Sequence, residues 1–382
     1  MVLSGCRINS SLTKMINYKL KAAPTAVSKE GNSQKGPKAN RILIGVDVHL
    51  KSYQAAHKID NGAVGVAQTF GSKEALLLYA QKQQELAKEV VVLYEAGPLG
   101  YKLYRELKAS DIECLVCAPR SGEQKRKRRK NNSIDARTLS SDLFNYLHGN
   151  EHALQRVRVP TQAQEQARVQ SRQQDALVEE RKRIGAIGNA LLLSQGYGSW
   201  SNWWRPKAFE RLSKEVAGWI VKHLGRWVGV LRELDQQIRQ AKVELAQQWK
   251  GPRPKGMGAV SLVQLKAEVL DWNLYCSRRK IGCLAGMVPS EWSTGEGQRL
   301  GSITKVGVPA IRRILTEMVW RMILFQPDYK AVQKWRQVLE GSNRGLKKKA
   351  VVAIGRQLIV DIWRLQTGRI TAQELGLIMI EG

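Results

Sequence analysis

From residue 41 to residue 118, apolar and polar positions alternate between two rhythms. RILIGVDVHL is a nearly continuous apolar run that ends in a carboxylate. YQAAHKID and GAVGVAQTF read as two further strands, with Asp60-Asn61-Gly62 between them as the turn of a hairpin. KEALLLYAQKQQELA then changes to helical spacing, with apolar residues three and four apart. EVVVLYEAG is a second apolar strand ending in an acid, LGYKLYRELKAS a helix, and IECLVCAP a strand. The predicted order is β-β-β-α-β-α-β, a mixed sheet with an antiparallel start. It matches a ribonuclease H-like arrangement better than a repeated βαβ unit. The stretch NNSIDARTLSSDL reads as the start of another helix.

Beyond residue 160 the strand rhythm disappears. Residues 162–195 are rich in Gln, Arg and Glu with helical character, and GYGSWSNWWRP interrupts them. A second helix is expected over 207–250, with apolar positions at Phe209, Leu212, Val216, Ile220, Trp227, Leu231, Leu234, Ile238 and Leu245. That spacing predicts an antiparallel helical pair or an intermolecular coiled coil. Trp200, Trp203 and Trp204 suit base stacking or packing at the helical hinge, and packing is favoured. GPRPKGMG at 251–258 breaks the helix, and the rest is mostly helical. Gly256-Met257-Gly258 suits either a phosphate-binding helix start or a tight interhelical turn. The expected organisation is a basic tail over 1–40, a sheet domain over 41–160, a coiled-coil region over 161–250 and a helical domain over 251–382.

Charge narrows the function. Among 382 residues, Lys and Arg number 62 against 33 Asp and Glu, a net +29 spread along the chain. Such a folded cation expects a polyanion, with nucleic acid ahead of an anionic membrane surface. No run of apolar residues is long enough for a transmembrane helix. Five cysteines without framework spacing suit a reducing compartment. Cys114 and Cys117, alone in an apolar strand, read as small core residues. The basic run Lys125, Arg126, Lys127, Arg128, Arg129 and Lys130 is assigned to phosphate contact because it precedes a candidate acidic site.

That site is three acids: Asp47 and Glu95 at strand ends, and Asp135 at a helix start. If the first and fourth strands lie side by side, Asp47 and Glu95 meet. Carboxylates gathered without cationic partners repel one another, and Mg2+ relieves the repulsion. Two such ions stabilise both oxygens of an in-line phosphoryl displacement. Any one of these acids alone would read as a cap or a rim ion pair.

GVDVHLKS, YEAGPLG and KNNSIDARTL resemble the first half of the DEDD-type transposases of bacterial insertion sequences. This is insertion-sequence family 110 with its 1111 subgroup, which includes the pilin-gene invertase. GMGAVSLVQLKAEV and LAGMVPSEWSTGEGQRLGSITKVGVPAIRRIL resemble the family's C-terminal blocks, so the likeness runs in order from about Arg41 to about Leu365. The resemblance implies a RuvC-like nuclease domain with four Mg2+-binding acidic positions. It further implies a coiled coil and a helical domain that carries a nucleophilic serine. The composite site would join two subunits of a dimer or tetramer, cut through a covalent phosphoserine link, and be guided by an element-encoded RNA on donor and target DNA.

Carried onto this sequence, Asp47, Glu95 and Asp135 match the first, second and fourth acids, and the third position is Asn132. An amide oxygen can ligate Mg2+ but brings no charge. Asp142, seven residues beyond Asp135, is a weak candidate to compensate. The family's nucleophile column holds Thr294, with Ser293 one residue earlier. Thr is the more crowded nucleophile. Arg299 and Lys305 are candidate phosphate contacts. The leading expectation is an RNA-guided DNA transposase or recombinase. A RuvC-like hydrolytic nuclease or junction resolvase, and an inactive remnant that retains nucleic-acid binding, are the competing readings.

Overall fold

The computed structural model describes residues 38–119, 132–292, 297 and 299–381, without the side chains of residues 132 and 133. The chain divides into two compact units, Met1–Val159 and Pro160–Gly382.

The first unit is built on a five-stranded sheet of order β3-β2-β1-β4-β5. Its strands are β1 (Ala39–Val48), β2 (Tyr53–Ile59), β3 (Gln68–Phe70), β4 (Ala87–Glu95) and β5 (Glu113–Cys117). β1, β2 and β3 form an antiparallel meander, while β4 runs parallel to β1 and β5 parallel to β4. Helices α1 (Lys73–Leu86) and α2 (Lys102–Ala109) make the crossovers, and α3 (Asn132–Leu147) follows β5. The third strand is shorter than expected. Two glycines in GAVGVAQ disfavour an extended ladder, and Val64 makes only an isolated bridge to Lys58 before β3 begins at Gln68.

Each face of the sheet has its own core. Ile42, Ile44 and Val46 of β1 face the core that includes Leu76 of α1 and Leu107 of α2. Leu43 of β1, Leu93 of β4 and Leu115 of β5 face Leu139 and Leu143 of α3. Each fully buried leucine contributes roughly 2 kcal/mol. Cys114 and Cys117 are buried on opposite faces of β5, so they cannot share a ligand. Burial pushes the Cys114 thiol well above its ordinary pKa. At the sheet edge, Ala118 N–H donates to Gln155 O (2.8 Å) and Val157 N–H to Val116 O (2.7 Å), which lays residues 155–157 along β5.

The second unit is helical. α4 (Gln162–Ser194) opens with a capping box between Thr161 and Gln164. The helix expected over 207–250 is two helices, α5 (Pro206–Glu215) and α6 (Gly218–Gln247). They part at Val216, in extended backbone, and Ala217, also non-helical, although the apolar spacing continues across the break. Trp227 lies off the buried seam and is 38% exposed. Trp203 and Trp204 pack where Gly185 and Gly188 thin α4, and Trp203 is fully buried. Trp203 Nε1 donates to Gly185 O (3.0 Å), and Trp204 Nε1 donates to Asp235 Oδ2 on α6 (2.7 Å). The tryptophans therefore serve the hinge.

The chain then forms β6 (Arg253–Pro254), α7 (Ala259–Val269), α8 (Arg278–Cys283), β7 (Pro289–Glu291) and β8 (Leu300–Ile303). After these come α9 (Pro309–Phe325), α10 (Lys330–Lys334), α11 (Arg336–Glu340), α12 (Arg344–Gln366), α13 (Ala372–Leu375) and β9 (Met379–Ile380). α9 and α12 supply Leu315, Met318, Ile354 and Leu358 to one core with Leu265 of α7 and Ile281 of α8. Glu268 of α7, almost fully buried, is held by Arg172 of α4 at 3.1 Å. Gly256 (φ +91°) turns against Phe325, and Arg321 Nε donates to its carbonyl at 2.7 Å, so the Gly-Met-Gly stretch makes a packed interhelical turn. Among the described residues, no helix is long and apolar enough to cross a membrane.

Candidate functional site

The site is built at the carboxyl end of β1. Val46 pairs with Tyr94 in the parallel register, so Asp47 and Glu95 stand one step further along neighbouring strands. Neighbouring strands lie about 4.8 Å apart, and laterally adjacent residues of a parallel pair share a face. Odd-numbered positions of β1 and β4 face α3, so both carboxylates lie on that face. Both residues are half-buried. His49 Nε2 lies 3.0 Å from Asp47 Oδ2, a partial counter-charge whenever the imidazole is protonated.

The direction of α3 follows from its contacts. Lys58 Nζ sits 4.2 Å from the centre of the Phe144 ring, and Lys58 is the cross-strand partner of Leu43. Ser140 Oγ donates to Leu43 O at 3.0 Å. A β-carbon on Gly45 would meet Ala136 O and Ser140 N, both at 2.3 Å. From Phe144 back to Ala136 the helix therefore advances from Leu43 toward Asp47. Its first turn, with Asp135, lies at the Asp47 end. Asp135 is four residues before Leu139 and continues the sheet-facing stripe into solvent. The positive end of the helix dipole favours an acid in that turn.

Gln54 completes the arrangement and carried no signal in the sequence. It is the cross-strand partner of Asp47, and its Oε1 is buried without a hydrogen-bond partner. Asp142, half-buried, sits seven residues down α3, about 10 Å along the axis from Asp135, too far to substitute at the same centre. Among the described residues no three His, Cys, Asp or Glu side chains gather as a ready-made metal cluster. The donors that do converge are oxygens, the set that suits a hard divalent cation, and a buried orphan oxygen stands beside them. Their chemistry fits Mg2+. The side chain of Asn132 and the basic run 125–130 lie outside the described residues.

On the opposite face, at the same strand ends, an open cleft of about 380 Å³ is lined by Lys51, Tyr53, Lys73, Tyr94 and Lys102. Lys73 is held at 2.7 Å by Glu106, and that hydrogen bond raises its pKa. These lysines are scattered in sequence, so no charge run announced them.

In the second unit, β7 and β8 pair antiparallel. Ser293 and Thr294, between the two strands in sequence, lie outside the described residues. Arg299, just before β8, is exposed, its carbonyl accepting from Trp292 N–H at 2.9 Å. Lys305, exposed with φ +56°, closes the base, its N–H donating to Gly286 O at 3.0 Å. A β-carbon on Gly286 would meet Val306 O at 2.7 Å, and one on Gly307 would meet Leu284 O at 2.5 Å. Two glycines thus let the backbone pass against itself and brace the stalk.

Comparison with known proteins gives this arrangement a context. Residues 253–334 match the family model described as Transposase IS116/IS110/IS902 family. The chain is 31% identical to the putative transposase y4rJ of Sinorhizobium fredii over 305 residues, covering 72% of this chain and 76% of the relative. It is 26% identical to the putative transposase y4qE of the same organism over 302 residues, 73% and 71% of the two chains. The transposase for insertion sequence element IS1328 of Yersinia enterocolitica is 24% identical over 343 residues, 86% of this chain and 97% of the relative. With a likeness that runs through most of both units, the chain belongs to the IS116/IS110/IS902 family of transposases, enzymes that act on DNA by phosphoryl transfer.

Proposed function

We propose that this transposase cuts and rejoins DNA with a hydroxyl nucleophile, Thr294 or Ser293, from the sequence between β7 and β8, and a carboxylate site on a RuvC-like sheet. The observation that carries the reading is the parallel register of β1 and β4, whose last pair, Val46 with Tyr94, leaves Asp47 and Glu95 as the next residue of each strand, with the acidic first turn of α3 at that end. The β3-β2-β1-β4-β5 order, a meander followed by two parallel strands, supports the ribonuclease H-like assignment.

In this scheme Asp47, Glu95, Asn132 and Asp135 would hold Mg2+. Bound there, the ion supplies charge neutralisation at the scissile phosphate. The oxygen of Thr294 or Ser293 attacks phosphorus. The bond to one deoxyribose oxygen breaks, and that oxygen leaves as a hydroxyl after gaining a proton. The hydroxyl's own proton passes to a carboxylate. Attack by a strand-end hydroxyl on the protein–DNA ester reverses the chemistry and rejoins DNA. Arg299, Lys305 and the 125–130 run are assigned to phosphate contact, consistent with the +29 charge. An element-encoded guide RNA pairing with donor and target, and a dimer or tetramer joining the two catalytic parts across subunits, complete the proposal.

The test is to incubate protein, Mg2+ and element-end DNA with the flanking RNA, denature, and look for DNA covalently attached to protein. Thr294→Ala or Ser293→Ala should abolish the adduct. An adduct that survives both changes refutes the nucleophile, and cleavage with no adduct supports hydrolysis instead. One observation favours a second reading, a nucleic-acid-binding remnant: Asn132 takes the place of an acid where no three-acid cluster forms among the described residues. If Asn132→Asp strongly raises Mg2+-dependent cleavage, the site is weakened rather than lost. If it leaves binding unchanged and yields no cleavage, the remnant reading holds.

A further inference from the structure

Gln54 is the unexplained group beside the acids. In the antiparallel register it faces Asp47 directly across from β2, so the two side chains emerge on the same side of the sheet. That side is the one covered by α3. Ala55, the next residue, packs into the opposite core, and Lys58, four residues on, lies against Phe144 of α3. Gln54 therefore sits under the helix, next to Asp47 and one strand further from Glu95. Its Oε1 is buried and accepts no hydrogen bond among the described residues. A buried acceptor left unpaired costs stability, and such groups in native folds mark a role that repays the cost.

Three explanations compete on chemistry. A structural role would give the oxygen a backbone or side-chain donor, and none reaches it among the described residues. A role in setting Asp47 would show the amide nitrogen bonded to that carboxylate, whereas the group near Asp47 is His49 at 3.0 Å. A neutral oxygen held beside the Asp47 carboxylate, with no donor among the described residues, is what a hard divalent cation accepts as a further ligand. We propose that Gln54 Oε1 is an additional oxygen donor of the cation site, supplied from β2 and absent from the motif positions Asp47, Glu95, Asn132 and Asp135. It would offset the missing charge at Asn132 only in part, because an amide adds a dipole and no charge. The proposal rests on the cation-site reading given under Proposed function.

The experiment measures Mg2+ and Mn2+ binding by calorimetry on the full-length protein without nucleic acid, so activity is not the readout. It also measures the melting temperature with and without cation. Four proteins are compared: wild type, Asp47→Asn, Gln54→Leu and Gln54→Glu. Gln54→Leu should weaken cation affinity about tenfold, the scale seen when a supporting group of a metal site is lost. The cation-free protein should melt at or above the wild-type temperature, because an unpaired polar atom has been removed. Gln54→Glu should tighten binding, lower the cation-free melting temperature through repulsion with Asp47, and show the larger rise when cation is added. Wild-type affinity in Gln54→Leu, with binding lost in Asp47→Asn, overturns the role of Gln54 and leaves the cation site standing. Weakening by both Gln54 changes points to an N–H donor that positions Asp47, and overturns donation by oxygen. If Asp47→Asn binds as wild type does, or wild type binds no cation, the underlying cation-site reading fails and the role of Gln54 fails with it. Should Gln54→Leu not fold, Gln54→Glu alone decides, since unchanged or weaker binding there is equally fatal.

Discussion

Replacing Gly45 by alanine should dislodge α3 from the sheet. A β-carbon at that position would lie 2.3 Å from both Ala136 O and Ser140 N, where ordinary contact begins at 3.4 Å. The difference, 3.4 − 2.3 = 1.1 Å, must come from main chain on both sides, because neither neighbour is a flexible side-chain end. The helix would lift over the stretch that carries Ala136, Leu139, Ser140 and Leu143, all buried against the sheet. Overpacking of this kind costs about 2 kcal/mol, and part of the leucine burial goes with it. For a unit of this size that lowers the melting midpoint by roughly 8 °C. The same shift moves Asp135 relative to Asp47, and a displacement of about 1 Å in a reacting assembly can cost on the order of 100-fold in rate. Calorimetric melting of the full chain, with hydrogen exchange of the α3 amides, reads the first effect, and the yield of protein–DNA adduct reads the second. Wild-type melting and α3 protection in Gly45→Ala would refute the close seating of α3 on β1, and with it the placement of Asp135.

Two further outcomes follow from the helical unit. Gly188→Ala puts a β-carbon 2.2 Å from Trp203 Cζ2 and should destabilise that unit by about 1–3 kcal/mol, and adding Trp203→Phe should recover part of the loss in urea melts followed by fluorescence. Burial tends to raise the pKa of Asp235, yet hydrogen bonds from Trp204 and Arg181 prevail and hold it below its ordinary 3.8. A depressed folded-state pKa gives stability that is present above the unfolded value and lost as pH falls below it. The urea midpoint should therefore decline below about pH 4 more steeply in wild type than in Asp235→Asn, which should already be weaker at neutral pH.

The parts of the site visible in sequence were those carried by local pattern. An apolar run that ends in an acid announces a strand delivering a carboxylate to its end, and two such runs around a helix expect the β1–β4 adjacency. Gln54 left no such trace. It sits in a short strand of mixed polarity, and its burial is created by a helix about 80 residues later in the chain. The break between α5 and α6 was hidden because Val216 keeps the apolar spacing while its backbone is already extended. In GAVGVAQ the reverse occurred, since strand-like alternation was present but two glycines removed the side chains that a ladder needs. Gly45 was legible only as a glycine in a strand, and its meaning required the helix that crosses it.

The strip at residues 155–157 sets an order of events during synthesis. β5 ends at Cys117, and its bridge partner Arg156 is translated 39 residues later. At about 5–20 residues per second, the open edge of β5 waits roughly 2–8 s on the ribosome for its cover. The helix that shields the adjacent face, α3, is made within the same interval. A nascent chain stalled before Gln155 would present an apolar strand edge to any other chain nearby. The last few residues of the first unit thus act as its closure, and the unit becomes safe from strand-to-strand association only as the chain moves on to Pro160.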